Sequence, residues 1–107
     1  MNLRVTIKGI DDKASLIQET NEKVASALER FEDRVLDISV LLEDETGPNK
    51  NTVDKRCRIN VHLKGGDEIT IDEVGEEILS SLNVALGRLK AAMSRAVGKA
   101  KRGVGAG

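Results

Sequence analysis

The chain has 107 residues, a length that suits one domain built around a single core. Its apolar residues are almost all Leu, Ile, Val and Ala, Phe31 is the one aromatic residue, and the net charge of −1 at pH 7 by itself argues against nucleic-acid binding. No apolar run approaches the roughly 20 residues of a membrane span, the N-terminus does not resemble a signal peptide, and the single Cys57 forms no internal disulfide, so we expect a cytoplasmic protein.

The chain opens with a predicted strand and a predicted helix. Apolar and polar residues alternate over 3–7, which is typical of a strand with one buried face. Gly9 ends this strand. Asp11 and Asp12 then offer N-cap oxygens for an amphipathic helix that continues to about Phe31.

Three further strands are predicted after this helix. The second strand is indicated by a renewed alternation of Leu36, Ile38, Val40 and Leu42 with the residues between them. Residues 44–51 contain the Gly, Pro and Asn of a turn or mobile loop. Alternation resumes over 57–63, and Gly65-Gly66 indicates a two-residue hairpin turn before a returning strand around 69–71.

The last helix is predicted to start near Glu76 or Glu77, since acidic residues suit the N-terminal end of the helix dipole. Its buried stripe consists of Ile78, Leu82, Leu86, Leu89 and Met93. The order β-α-β-β-β-α predicts an α+β two-layer sandwich, in which one four-stranded sheet carries both helices on one face. Residues 1–102 form this domain, and residues 103–107 are expected to be a disordered tail.

The predicted sheet places one set of aliphatic residues toward the helices. The opposite register would expose all of them, so the alternation strongly constrains the fold. The members are Leu3, Val5, Ile7, Ile38, Val40, Ile59, Val61, Ile69 and Ile71.

Basic residues gather at the C-terminal end of the chain. All 18 acidic residues lie at or before Glu77, so residues 1–87 carry −7 and residues 88–107 carry +6. Four basic residues opposite the apolar stripe form what we call the basic ridge, namely Arg88, Arg95, Lys99 and Arg102. A solvated helix face is the alternative, but such a face usually pairs its charges with acids at i, i+4. The absence of acids favours an RNA-binding surface, which also includes Lys90 and Lys101.

The uncovered face of the sheet is predicted to alternate basic and acidic strands. Cross-strand charge pairing is the favoured interpretation, and a secondary RNA contact through Arg56 and Arg58 is the alternative. Catalysis finds little support, because Cys57 and His62 are an odd number of residues apart on one strand and point to opposite faces. We therefore expect a core cysteine, a surface histidine, and neither an enzyme nor a metal site.

Three strings of residues resemble the hibernation-promoting factor and ribosome-associated inhibitor family, in its short form. They are Phe-Glu-Asp-Arg at 31–34, Asn-Val-His-Leu-Lys-Gly-Gly-Asp at 60–67 and Leu-Gly-Arg-Leu-Lys at 86–90, and the resemblance extends from Asn2 to about Arg102. It implies a bacterial stress-response protein that binds small-subunit rRNA in the mRNA and tRNA channel and regulates translation. Basic residues of the family's last helix match Arg88, Arg95 and Lys99.

The residues add a restriction on how RNA would be recognised. Without Tyr, Trp or an exposed Phe, bases cannot be stacked on aromatic rings, so recognition must use phosphates and shape. The expected partner is the small ribosomal subunit, with no small-molecule substrate or cofactor, and the chain is expected to be a monomer off the ribosome. The alternative hypothesis is a divergent member of the same fold that binds a basic protein through its acidic first two-thirds.

Overall fold

The computed structural model describes residues 2–44 and 54–106, with side chains described as far as Gly98. The elements are β1 (Asn2–Lys8), α1 (Lys13–Leu28), a 3-10 helix (Glu29–Arg34), β2 (Val35–Asp44), β3 (Lys55–Leu63), β4 (Glu68–Gly75) and α2 (Ile78–Ala106). This is the predicted order, and the α+β fold is confirmed. Most of the predicted loop at 44–51 lies outside the described residues.

The four strands form one mixed sheet in the order β1-β2-β3-β4. β1 runs parallel to β2, as a crossover connection through α1 allows, and the other neighbours are antiparallel. One transverse row joins Val5, Val40, Ile59 and Ile71, all on the covered face. Ile59 is buried and the adjacent Arg58 is exposed, so the predicted register is correct.

Both helices cover the same face of the sheet. α1 packs mainly on β1, and α2 packs on β3 and β4. The predicted stripe of α2 is confirmed, since Leu82, Leu86, Leu89 and Met93 are buried and Ile78 packs partly against the same core. Thr20 of α1 is also fully buried.

The start of β2 departs from the predicted alternation. The register shifts between Val35 and Asp37, which indicates a β-bulge. Val35 is consequently buried at 1% exposure, whereas Leu36 is 51% exposed. The alternation that grouped Leu36 with Ile38, Val40 and Leu42 does not hold at Leu36, because the bulge adds a residue before the regular alternation begins.

The two ends of α1 also differ from the prediction. Asp12 occupies the N-cap position, but its φ of 56° is left-handed and its side chain makes no capping hydrogen bond. The α-helix ends at Leu28, and the chain then tightens into the 3-10 helix that buries Phe31. The predicted helix to Phe31 therefore combines two kinds of helix.

The β3–β4 connection is longer than the predicted two-residue turn. Four residues, 64–67, separate the strands, and the Leu63 N–H donates to the Asp67 carbonyl at 2.8 Å. Gly65 and Gly66 have φ of 102° and 103°, which explains why both positions are glycine. The positions of the glycines were predicted correctly, and the length of the turn was not.

α2 begins slightly later and runs further than predicted. Its first residue is Ile78, and the Ser81 N–H donates to the Glu77 carbonyl at 3.0 Å, so the two acids precede the helix. Its backbone remains helical to Ala106. Disorder of residues 103–107 in solution stays a prediction.

A polar junction joins the start of α2 to the end of the sheet. The buried Ser81 Oγ donates to the Lys55 carbonyl at 2.9 Å. The Lys55 ammonium lies 3.2 Å from Asp44 and 2.8 Å from Asp54. The hydrogen bond with Asp54, supported by Asp44, raises the pKa of Lys55 although burial opposes the shift. This junction fixes the position from which α2 runs back across β3 and β4.

Candidate nucleic-acid interface

α2 is longer than the sheet it covers. Its 29 residues span about 43 Å at about 1.5 Å per residue, whereas the nine residues of β3 span about 30 Å. Because α2 starts level with Lys55, it reaches the far end of β3 after about 20 residues, near Gly98. Ala96 and Val97 are the last residues seen to pack against the core. The backbone of residues 99–106 therefore extends past the sheet, and this extension carries Lys99, Lys101 and Arg102.

Arg88 of the basic ridge has an acidic partner on the neighbouring strand. Its Nη1 donates to Glu73 Oε1 and, at 3.3 Å, to the Asp72 carbonyl. The side chain of Arg88 is 55% exposed and that of Glu73 is 22% exposed. The absence of i, i+4 acids within α2 does not leave Arg88 unpaired, because its acidic partner comes from β4.

Glu73 is a residue that the sequence reasoning missed. It follows Ile69 and Ile71 at the period of two, so its position on the covered face of β4 could have been inferred from the alternation. An acid directed toward a helix at the edge of a sheet requires a cationic partner, and α2 supplies one.

Arg95 and Lys90 differ from Arg88 and from each other. Both are exposed, and neither forms an ion pair with any residue in the described part of the chain. Arg95 lies on the basic ridge, whereas Lys90 lines a shallow groove between the two helices together with Glu22 and Lys23. Arg95 is thus a described cation of the basic ridge without an acidic neighbour, and Lys90 faces α1.

The uncovered face of the sheet carries the predicted cross-strand pairs. Arg58 lies 3.0 Å from Asp72, and Arg56 lies 3.6 Å from the same carboxylate oxygen. His62 Nδ1 lies 3.0 Å from Asp37 Oδ1, and its Nε2 lies 3.6 Å from Glu68 Oε1. The interpretation as charge pairing is confirmed, and both arginines proposed as secondary RNA contacts take part in it.

The single cysteine and the single histidine of the chain lie on opposite faces of the sheet. Cys57 is fully buried in the core and His62 is exposed on the other face, as predicted. Burial raises the pKa of the Cys57 thiol to about 12, with smaller contributions from Asp72 and Glu73, so the thiol is protonated at neutral pH. Within residues 2–44 and 54–106, no three His, Cys, Asp or Glu side chains come together as metal ligands would. No helix in the same ranges combines the length and apolar character of a membrane span.

Residues 3–102 match the family model described as sigma 54 modulation protein / S30EA ribosomal protein. The chain belongs to this family. The resemblance inferred from the three sequence strings is thereby confirmed. No curated protein matches the sequence significantly.

Two solved structures resemble this family member. A ribosomal subunit interface protein from Coxiella burnetii aligns with a TM-score of 0.71 at 19% identity, over 92% of this chain and 99% of its own. The N-terminal domain of Protein Y from Thermus thermophilus aligns with a TM-score of 0.65 at 24% identity, over 89% of this chain and 98% of its own. At these identities the two structures support the fold alone.

Proposed function

We propose that this protein is a ribosome-associated regulator of translation, of the hibernation type, and that it acts in the cytoplasm without catalysing a reaction. It would bind small-subunit rRNA in the mRNA and tRNA channel through the C-terminal half of α2. Membership of the S30EA family supports ribosome association, and the Coxiella relative is named a ribosomal subunit interface protein. The observation that carries the proposal is the acid-free basic segment of α2 that extends past the sheet.

The chemistry of this segment favours binding to a phosphate backbone. Arg95 is exposed without an acidic neighbour among the described residues, and Lys99, Lys101 and Arg102 follow within two turns of the same helix. Lysine and arginine bind phosphates and release counterions, which gives affinity with little dependence on base sequence. Phe31, the only Phe, Tyr or Trp residue of the chain, is buried, so the proposed mechanism does not stack bases on rings of this kind.

The other residues proposed to contact RNA are weaker candidates than those of this segment. Arg88 and Lys90 belong to the same surface, but Arg88 is paired with Glu73 and Lys90 faces α1. Arg56 and Arg58 share Asp72, so each would have to leave or share an ion pair to bind RNA. A secondary RNA contact through these two residues is therefore the weaker part of the proposal.

The test compares two variants that lose the same charge. The first replaces the basic ridge, Arg88, Arg95, Lys99 and Arg102, with alanine. The control replaces four exposed cations outside α2 with alanine, namely Arg4, Lys8, Lys13 and Lys64. Each variant changes the net charge by four, so a difference between them reports position and not overall charge.

Binding is measured by co-sedimentation with isolated small ribosomal subunits at several salt concentrations. We expect the ridge variant to lose most of its binding and the slope of log K against log salt to fall by about 2 to 3, from about 0.7 to 0.9 for each of Arg95, Lys99 and Arg102, since Arg88 is already paired with Glu73. The control variant should remain bound. Retained binding of the ridge variant would reject α2 as the RNA contact and favour the alternative, in which the acidic two-thirds of the chain bind a basic protein.

A further inference from the structure

The ion pair between Arg88 of α2 and Glu73 of β4 lies at one end of the proposed RNA surface. Arg88 Nη1 carries two hydrogens, and both are taken, one by the Glu73 carboxylate and one by the Asp72 carbonyl. The Arg88 side chain is nevertheless 55% exposed, so solvent and ligands reach it. A phosphate that approaches Arg88 therefore meets a guanidinium whose charge is already paired.

Glu73 is held in this position by its own surroundings. It lies opposite Cys57 in the β3–β4 register, on the covered face, and is only 22% exposed. A carboxylate in such a place has lost part of its hydration and depends on a cationic partner. The acid is consequently the fixed member of the pair, and Arg88 is the exposed member.

We propose that Glu73 attenuates RNA binding by competing with phosphate for Arg88, an inference that rests on the proposed function of α2. A phosphate at Nη1 must displace the carboxylate, and a phosphate at the other guanidinium nitrogens remains close to the negative charge of Glu73. Either arrangement weakens the binding of a phosphate to Arg88. A polyanion therefore binds stably only when it also contacts Arg95 and the extension beyond Gly98, which discriminates against short or isolated anions.

The salt dependence distinguishes competition from simple positioning of the arginine. When phosphate displaces Glu73, the carboxylate takes up a cation, which cancels the counterion released from the phosphate. Without the carboxylate, the contact at Arg88 releases its counterion in full, so the slope of log K against log salt becomes steeper. A residue that merely positions Arg88 would produce the opposite change when it is removed.

The experiment uses Glu73→Gln, with Glu68→Gln as the matched control. Glu68 lies on the same strand, faces the uncovered side and contacts Asn60 and His62, so the control makes the same charge change away from α2. The probes are isolated small ribosomal subunits and a labelled RNA duplex. For Glu73→Gln we expect Kd to fall about three- to fivefold, the effect of one unit charge at close range in a solvated site, and the salt slope to steepen by about 0.7 to 0.9.

Further variants make each outcome decisive. Adding Arg88→Gln to Glu73→Gln should abolish the gain, and Glu73→Met, a second neutral side chain of similar length, should reproduce it in a protein with an unchanged circular dichroism spectrum. Unchanged or weaker binding of both Glu73 variants, or an equal gain in Glu68→Gln, would overturn the competition. If the wild-type protein and all variants fail to bind subunits even at low salt, the proposed function itself is rejected, and this inference with it.

Discussion

The substitution Gly75→Ala, which adds one methyl group, tests how α2 is anchored to the sheet. Gly75 is the last residue of β4 and lies opposite Lys55. A Cβ at this position would lie 2.8 Å from Ser81 Oγ, closer than side-chain carbons approach oxygen. Ser81 has little freedom to move, because it is 4% exposed and its hydroxyl donates to the Lys55 carbonyl at 2.9 Å. We therefore expect Gly75→Ala to break this hydrogen bond.

The expected cost combines two opposing contributions. Loss of a buried hydrogen bond that leaves its partner unsatisfied costs about 1–3 kcal/mol, whereas alanine in place of glycine within a strand recovers about 0.5–1 kcal/mol of backbone entropy. Gly75→Ala should therefore lower the free energy of unfolding by about 1–2 kcal/mol. In a Ser81→Ala background the oxygen is absent, and the same substitution should instead stabilise the protein by about 0.5 kcal/mol.

Urea unfolding of the four proteins in this double-mutant cycle measures both values. The change of sign is the diagnostic result, because a general intolerance of alanine at the end of β4 would appear in both backgrounds. Equal destabilisation by Gly75→Ala with and without the Ser81 hydroxyl would refute the reasoning and remove the polar junction as the anchor of α2.

Two further predictions concern buried polar groups of the core. Thr20 Oγ1 is buried without a hydrogen-bond partner in the described part of the chain. Thr20→Val should therefore raise the free energy of unfolding by about 1 kcal/mol and Tm by about 4–8 °C. A lower Tm would mean that the hydroxyl forms a hydrogen bond in solution. Burial raises the pKa of Cys57 from 9.0 to about 12, so the folded state disfavours the thiolate. Stability should hold below about pH 9 and then decline toward pH 12 by at most about 1.4 kcal/mol per pH unit, more steeply than in Cys57→Ala under the same urea titration.

The covered face of the sheet was predictable because the two-residue period of side chains along a strand decides which residues are buried. Alternation placed Val5, Val40, Ile59 and Ile71 on the same side, and their pairing into one row follows once the strand order is known. The helix stripes were equally readable from a spacing of 3.6 residues. The alternation of apolar and polar residues does not show where a strand contains an extra residue. The bulge before Asp37 therefore interrupts the alternation at Leu36, which is exposed.

The candidate site was predictable only in part, because its charges lie on different elements. The acid-free segment of α2 is visible in the sequence, and so is the odd spacing that separates Cys57 from His62. The pairing of Arg88 with Glu73 depends instead on the angle at which α2 crosses β4, which no helical wheel includes. No acid lies at i, i+3 or i, i+4 from Arg88 along the helix, whereas Glu73 of the edge strand contacts it.

The distribution of charge explains why the net charge of −1 is a poor guide to what this protein binds. At physiological ionic strength exposed charges are largely screened beyond about 8 Å, whereas α2 spans about 43 Å. A phosphate near the extension therefore interacts with the cations around it and scarcely with Glu76 and Glu77 before the other end of the helix. On the uncovered face, Arg56 and Arg58 already pair with Asp72 at 3.0–3.6 Å. Glu73 is in direct contact with Arg88 of the basic ridge. We therefore expect the RNA affinity proposed for this surface to depend more on Glu73 than on the other acids of the described chain.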